Sequence, residues 1–212
     1  MKSIYIFSGL GADERVFKHL DFSGFDTTFI RWTQPTKGET IEHYACRLKE
    51  QIGTERPILL GLSFGGIMAI EVAKHIDTEK IIIIASAKTK NEIPFYYRLA
   101  GRLNIHKLLP IAIMKRPNVL SYWFFGTQSN NDKRMLANIL HDTNAEFLKW
   151  SIDKIVKWKN QTLHKNLMHI HGTADKILPL CFVDCDLKVS CGGHFMTVNK
   201  ADELTKKIRR LL

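Results

Sequence analysis

Short aliphatic runs alternate along this chain with stretches of helical spacing. Residues 4–8, 27–32, 57–62, 80–85, 167–171 and 187–190 read as strands, and residues 41–51, 64–75 and 200–212 as helices. The run Ile81-Ile82-Ile83-Ile84 has no polar face, so its strand must be covered on both sides. Strands of this kind separated by helices predict an α/β protein. Its sheet would have about six mostly parallel strands, with helices on both faces.

Between about 87 and 165 the alternation stops. This stretch holds Pro94, Pro110 and Pro117, several helical segments and no convincing strand. It is too long for a simple loop in a compact domain, so it is expected to be a helical insertion lying over one edge of the sheet. It carries 10 of the 21 aromatic residues, expected to form mostly a core of its own, with the remainder lining a pocket against the sheet. It also carries 14 Lys plus Arg against 5 Asp plus Glu, which is +9 of the chain's +10. The sheet portion is nearly neutral.

At 212 residues and 45% apolar content the chain suits one domain with a sizeable core, 1–212, and no separate linker or repeat is visible. No apolar run approaches the length needed to span a bilayer. The start, Met1-Lys2-Ser3-Ile4, leads into an apolar run too short for a secretory leader and without a small-residue cleavage site. A cytoplasmic protein is expected. Cys46, Cys181, Cys185 and Cys191 match no zinc spacing and are expected to be reduced, partly buried thiols. His169 and His171 alternate on one strand without a partnering carboxylate or cysteine, so they read as core or strand-end residues and no metal is expected.

Chemistry concentrates at strand ends. Pro57-Ile58-Leu59-Leu60 runs into Gly61-Leu62-Ser63-Phe64-Gly65 and then into a helix, which places Ser63 at a sharp strand-to-helix corner with its hydroxyl exposed. A serine hydroxyl is a weak nucleophile and needs a base, a group to orient that base, and donors for the oxyanion that forms. In a parallel sheet these come from the C-terminal ends of strands. Asp175 follows the fifth strand in a turn. His194 follows the sixth, behind Gly192 and Gly193. Asp175 can accept a hydrogen bond from one ring nitrogen of His194 while the other faces Ser63. The first strand ends in Ser8-Gly9-Leu10-Gly11, so the N–H of Leu10 can join that of Phe64 as an oxyanion pair.

On these motifs the chain resembles the α/β-hydrolase superfamily. Gly61 to Gly65 is similar to its nucleophile elbow, and His171-Gly172-Thr173-Ala174-Asp175 with Pro179 to its acid loop. Gly192-Gly193-His194 is similar to its histidine loop and Ser8-Gly9-Leu10-Gly11 to its oxyanion loop. The resemblance covers nearly the whole chain. It implies the α/β-hydrolase fold with a helical cap at about 87–165, and Ser63, Asp175 and His194 as nucleophile, acid and base. The chain begins at what would be the family's third strand, and Ser8 stands where many relatives carry histidine. A serine rather than an aspartate at the elbow argues against dehalogenase and epoxide hydrolase chemistry.

The expected activity is hydrolysis of a carboxylic ester or thioester through an acyl-enzyme on Ser63, without cofactor. A non-catalytic protein of the same fold that binds an acyl ligand or a partner is the alternative from another class. Hydrolysis of a C–C bond by the same residues is a third reading. The basic insertion suits an anionic substrate, such as a thioester on coenzyme A or on an acidic carrier protein. It equally suits peripheral contact with anionic lipid headgroups. No recognition motif accompanies the charge, so nucleic acid is not expected as a partner.

Overall fold

The computed structural model describes residues 1–108 and 110–212. Six strands form one sheet: β1 Ser3–Phe7, β2 Asp26–Phe29, β3 Ile58–Leu62, β4 Lys80–Ile84, β5 Leu167–Gly172 and β6 Leu187–Val189. Their order is β2-β1-β3-β4-β5-β6, and every pairing is parallel. The six predicted strands are all present, several shorter by a residue or two.

Period-two alternation divides the core between two faces. Tyr5, Phe7, Leu59, Ile81 and Ile83 point to one face. They pack there against α1 (Ile41–Lys49), α2 (Phe64–Ala73) and residues such as Phe147 and Trp158. Ile4, Ile6, Leu60, Ile82 and Ile84 point to the other, where a 3-10 turn at Glu14–Phe17 and later helices cover them. All ten residues of α2 are buried, so it is a central helix rather than an amphipathic surface one. Its one carboxylate, Glu71, accepts hydrogen bonds from Trp158 Nε1 (2.8 Å) and Lys74 Nζ (2.6 Å).

The strand order sets the position of the site. The connection leaving β1 packs on one face and α2, leaving β3, packs on the other. The connections diverge between these two strand ends, the usual ligand position in open parallel sheets.

β2 ends earlier than its sequence pattern suggests. Beyond Ile30 the chain leaves β1 and pairs instead with the Gln51 side chain, which accepts from Arg31 N (2.9 Å) and donates to Arg31 O (3.0 Å). Trp32 is thereby free to turn inward and donate from Nε1 to Ser8 Oγ (2.8 Å).

Between β4 and β5 the described residues contain helices and no strand. These are α3 Phe95–Arg102, α4 Ile111–Lys115, α5 Val119–Phe125, α6 Asn130–Asp142 and α7 Ala145–Val156. The chain closes with α8 Met196–Asn199 and α9 Ala201–Leu211. The aromatics of this segment do not form a core of their own, contrary to expectation. Phe147 and Trp150 join Trp32, Tyr44 and Phe64 in one cluster of the sheet's core, with ring centroids 4.5–6.5 Å apart. Tyr122 and Phe125 pack against the opposite core, while Phe95, Tyr96 and Trp123 stay exposed. No helix among the described residues is long and apolar enough to cross a membrane.

Candidate active site

Ser63 sits between β3 and α2 with φ 52° and ψ −119°, a conformation that costs a non-glycine residue about 1–3 kcal/mol. Its surroundings over-determine it. Ser63 N donates to Ile84 O (2.8 Å), and Ser63 O accepts from Gly66 N (2.9 Å) and from Ser86 Oγ (2.7 Å). α2 begins at Phe64, so its first N–H groups have no partner within the helix and carry the positive end of its dipole.

Three distant segments meet at this corner. Ser63 Oγ lies 2.9 Å from His194 Nε2, and His194 Nδ1 lies 2.8 Å from Asp175 Oδ2. Asp175 Oδ1 accepts from the backbone N–H groups of Ile177 and Leu178, both at 2.9 Å. Burial pushes the Asp175 carboxyl upward. The adjacent His194 and the Leu178 N–H outweigh that and hold it below the ordinary carboxylate value. An ionised Asp175 can only accept, so Nδ1 carries the imidazole proton and Nε2 is free to accept from the serine hydroxyl. Asp175 and His194 are buried; Ser63 is half-buried and is the member a substrate can reach.

The acid and histidine loops are laced together by their backbones. Thr173 N donates to Val189 O (3.0 Å) and Ala174 N to Gly192 O (2.9 Å). A Cβ on Gly172 would collide with the backbone of Gly192, so the close approach requires glycine there. The first loop lies beside the same corner. Gly9 passes beside Ser63, a Cβ built on it lying 3.7 Å from that of Ser63, and Leu10 follows, packed against the core. Ser8 is buried, donates to Ala12 O (2.7 Å) and accepts from Trp32, so it braces the loop.

Sequence reasoning missed several residues at the site. Ser86 pins the carbonyl of Ser63, and the only hint was its place just beyond the isoleucine run of β4. Phe125, at the end of α5, sets its ring edge-on to His194 with centroids 5.8 Å apart, and its carbonyl accepts from Phe195 N (2.9 Å). Tyr97 packs against the core near Asp175, and its phenol is pushed up by burial and by the charges of Tyr96 and Asp175. Nothing local in the sequence marks either contact.

His169 and His171 are fully buried behind the acid loop. His171 Nε2 donates to Leu178 O (2.8 Å), which leaves its Nδ1 to accept from His169 Nε2 (3.2 Å). His169 Nδ1 has no partner among the described residues. Burial pushes both imidazoles below the ordinary histidine value, that of His169 furthest, so both are neutral in the folded chain. The unfolded chain takes up these protons as pH falls through about 6.5, whereas the folded chain refuses them. Stability conferred by the neutral pair is therefore complete above that value and is lost below it, by at most about 1.4 kcal/mol per pH unit for an imidazole that stays neutral in the folded chain. Urea melts are expected to be pH-independent near neutrality and to weaken steadily toward about pH 5. His169→Gln is expected to make that decline shallower; an unchanged slope would show that the pair is not its source.

The two concavities beside the oxyanion loop do not reach Ser63. One, of about 980 Å³, opens along the β2 edge between Ser8, Arg15, Thr28 and Trp32, and the other, of about 170 Å³, lies between Gly11, Thr143 and Phe147. The second has Thr143 and Phe147 on one wall and Gly11 and Trp32 on the other, so it lies between insertion and sheet, where a pocket is expected, although Ser63 does not line it. The described residues contain no group of three or more His, Cys, Asp or Glu able to hold a metal ion. All four cysteines are free; Cys181 and Cys191 are exposed rather than partly buried.

The chain has the α/β-hydrolase fold. It is similar over 99% of its length to an esterase from Exiguobacterium antarcticum, covering 91% of that chain with a TM-score of 0.69 at 14% identity. It is similar over its full length to an enzyme described as degrading N-acyl homoserine lactones, covering 93% of that chain with a TM-score of 0.70 at 15% identity. A bromoperoxidase from Bacillus anthracis matches 99% of this chain and 91% of its own, with a TM-score of 0.70 at 14% identity. No family model and no curated protein matches the sequence.

Proposed function

We propose that the protein is a serine hydrolase that cleaves a carboxylic ester or thioester through an acyl-enzyme on Ser63. The observation that carries this reading is the unbroken series from Ser63 Oγ through His194 to Asp175, with both links at 2.8–2.9 Å. Ser63 Oγ attacks the carbonyl carbon as its proton moves to His194 Nε2. Asp175 holds the ring in the required tautomer and stabilises the imidazolium. The N–H groups of Phe64 and Leu10 receive the oxyanion. Collapse expels the alcohol or thiol, which takes the proton from His194. A water then attacks the acyl carbon as its proton passes to the same imidazole, and the second collapse breaks the bond to Ser63 Oγ, which takes that proton back as the acid leaves. Every proton in this cycle has a side chain to hold it, so the cycle as written uses no cofactor. Two of the similar structures, an esterase and an enzyme described as degrading N-acyl homoserine lactones, support ester cleavage, a lactone being an internal ester.

An activated serine reacts with a fluorophosphonate probe and an ordinary serine does not. Incubation with such a probe is expected to add its mass to the peptide containing Ser63, and Ser63→Ala is expected to abolish the adduct. Folded wild-type protein that stays unlabelled would leave a non-catalytic acyl-ligand-binding protein as the better reading.

A further inference from the structure

The helices α3, α4 and α5 pack Tyr97, Tyr122 and Phe125 against the core but leave most of their other apolar side chains in the open. From Phe95 to Phe125, Gly101 is the only buried residue among those described. Ten of the twelve exposed large hydrophobics recorded for the described chain lie between 95 and 123; they include Leu108 (80% exposed), Val119 (84%), Leu120 (61%) and Trp123 (54%). Exposed apolar surface concentrated in one segment marks an interaction face rather than ordinary surface scatter. The helices are well made despite this. α5 opens on a reciprocal capping box between Asn118 and Ser121 and closes on a left-handed Gly126, so its apolar side chains are held outward by a formed helix.

Charge narrows the choice of occupant. From Ile93 to Asn131 there is no Asp or Glu, while Arg98, Arg102, Lys107, Lys115 and Arg116 supply five positive charges. Arg102, Lys115 and Arg116 form no ion pair among the described residues. Lys176 adds another cation, its Nζ lying 3.9 Å from the ring centroid of Trp123. A second copy of the chain fits poorly, because a two-fold contact would set this acid-free band against itself. A soluble anionic substrate satisfies the cations but leaves the apolar side chains in water. An anionic lipid surface satisfies both, with headgroups for the cations and the acyl boundary for the apolar residues.

We propose that the exposed apolar and basic side chains of residues 95–108 and 110–123 dock the protein on an anionic phospholipid bilayer. The band ends at Phe125, in edge-on contact with His194, so docking places the Ser63 corner beside the lipid surface. The docking stands apart from the hydrolase reading, and Ser63→Ala is expected to bind vesicles as wild type does.

The test is flotation of the full chain with vesicles of phosphatidylglycerol and phosphatidylcholine, against vesicles of phosphatidylcholine alone. Wild type is expected to float with the anionic vesicles at about 0.1 M salt and to release by about 0.5 M, where exposed charges are screened. Emission from Trp123 is expected to shift to the blue on binding, and Trp123→Phe to lose the shift. Val119→Glu with Leu120→Glu, and separately Lys115→Glu with Arg116→Glu, are expected to weaken binding roughly tenfold or more. Their hydrolysis of p-nitrophenyl acetate is expected to match wild type. Wild type that does not float with anionic vesicles, or variants that float equally well, would overturn the proposal. So would a wild-type dimer in sedimentation that Val119→Glu with Leu120→Glu converts to monomer without any vesicle binding, since the face would then belong to a second copy.

Discussion

Asp175→Asn is expected to lower kcat for ester hydrolysis by about ten-thousand-fold while leaving the fold intact. The substitution is nearly isosteric. An amide oxygen at the Oδ1 position can still accept from the N–H groups of Ile177 and Leu178, so the turn has no reason to open. The other half of the side chain changes sign. An NH2 group facing His194 Nδ1 donates where the carboxylate accepted, which forces Nδ1 to accept and moves the ring proton to Nε2. Nε2 then points an N–H at Ser63 Oγ and cannot take its proton. The charge that would stabilise the imidazolium is lost at the same time. Initial rates on a p-nitrophenyl ester, with urea melts on the same samples, separate chemistry from folding. A kcat within tenfold of wild type, in protein of native stability, would remove Asp175 from the proposed role.

The parts of this molecule legible in the sequence are those whose cause is local. A run such as Ile81 to Ile84 can only be a strand covered on both faces. Period-two alternation in residues 4–7 assigns Tyr5 and Phe7 to one core and Ile4 and Ile6 to the other. The strand-to-helix corner at Ser63, and the placing of Asp175 and His194 after the last two strands, follow from the same logic. Parallel strands deliver all their C-terminal ends to one edge. What could not be read depends on partners remote in the chain. Gln51 ends the β2 ladder from 20 residues away, and Ser86 fixes the Ser63 carbonyl across a neighbouring strand end. The fate of the aromatics between β4 and β5 is of the same kind. Composition says that they seek burial, but only the path of α7 brings Phe147 and Trp150 onto Phe64, and only the path of α5 leaves Trp123 in the open.

The same distinction decides the expected outcome of Gly65→Ala. By helix propensity alone, alanine in α2 should stabilise the protein by up to about 1 kcal/mol. Packing reverses the sign. A Cβ on Gly65 would lie well inside 3.0 Å of the carbonyl oxygens of Phe7 and Ser8, at the end of β1. These are backbone atoms of a central strand, with none of the give of a side-chain end, so either α2 or β1 must move. The variant is expected to lose about 3 kcal/mol of stability, the upper range for overpacking. Its residual hydrolysis is expected to fall further than unfolding explains, because separating α2 from β1 draws Phe64 N–H away from Leu10. Gly53→Ala provides the contrast. A Cβ there meets nothing within 4 Å, and the residue does not need a positive φ. It is expected to be neutral or to stabilise by a few tenths of a kcal/mol through the unfolded chain. Urea midpoints and initial rates on the two variants test both signs together. A wild-type midpoint in Gly65→Ala would mean that α2 and β1 part without cost, and the pairing of Leu10 with Phe64 around an oxyanion would lose its physical basis.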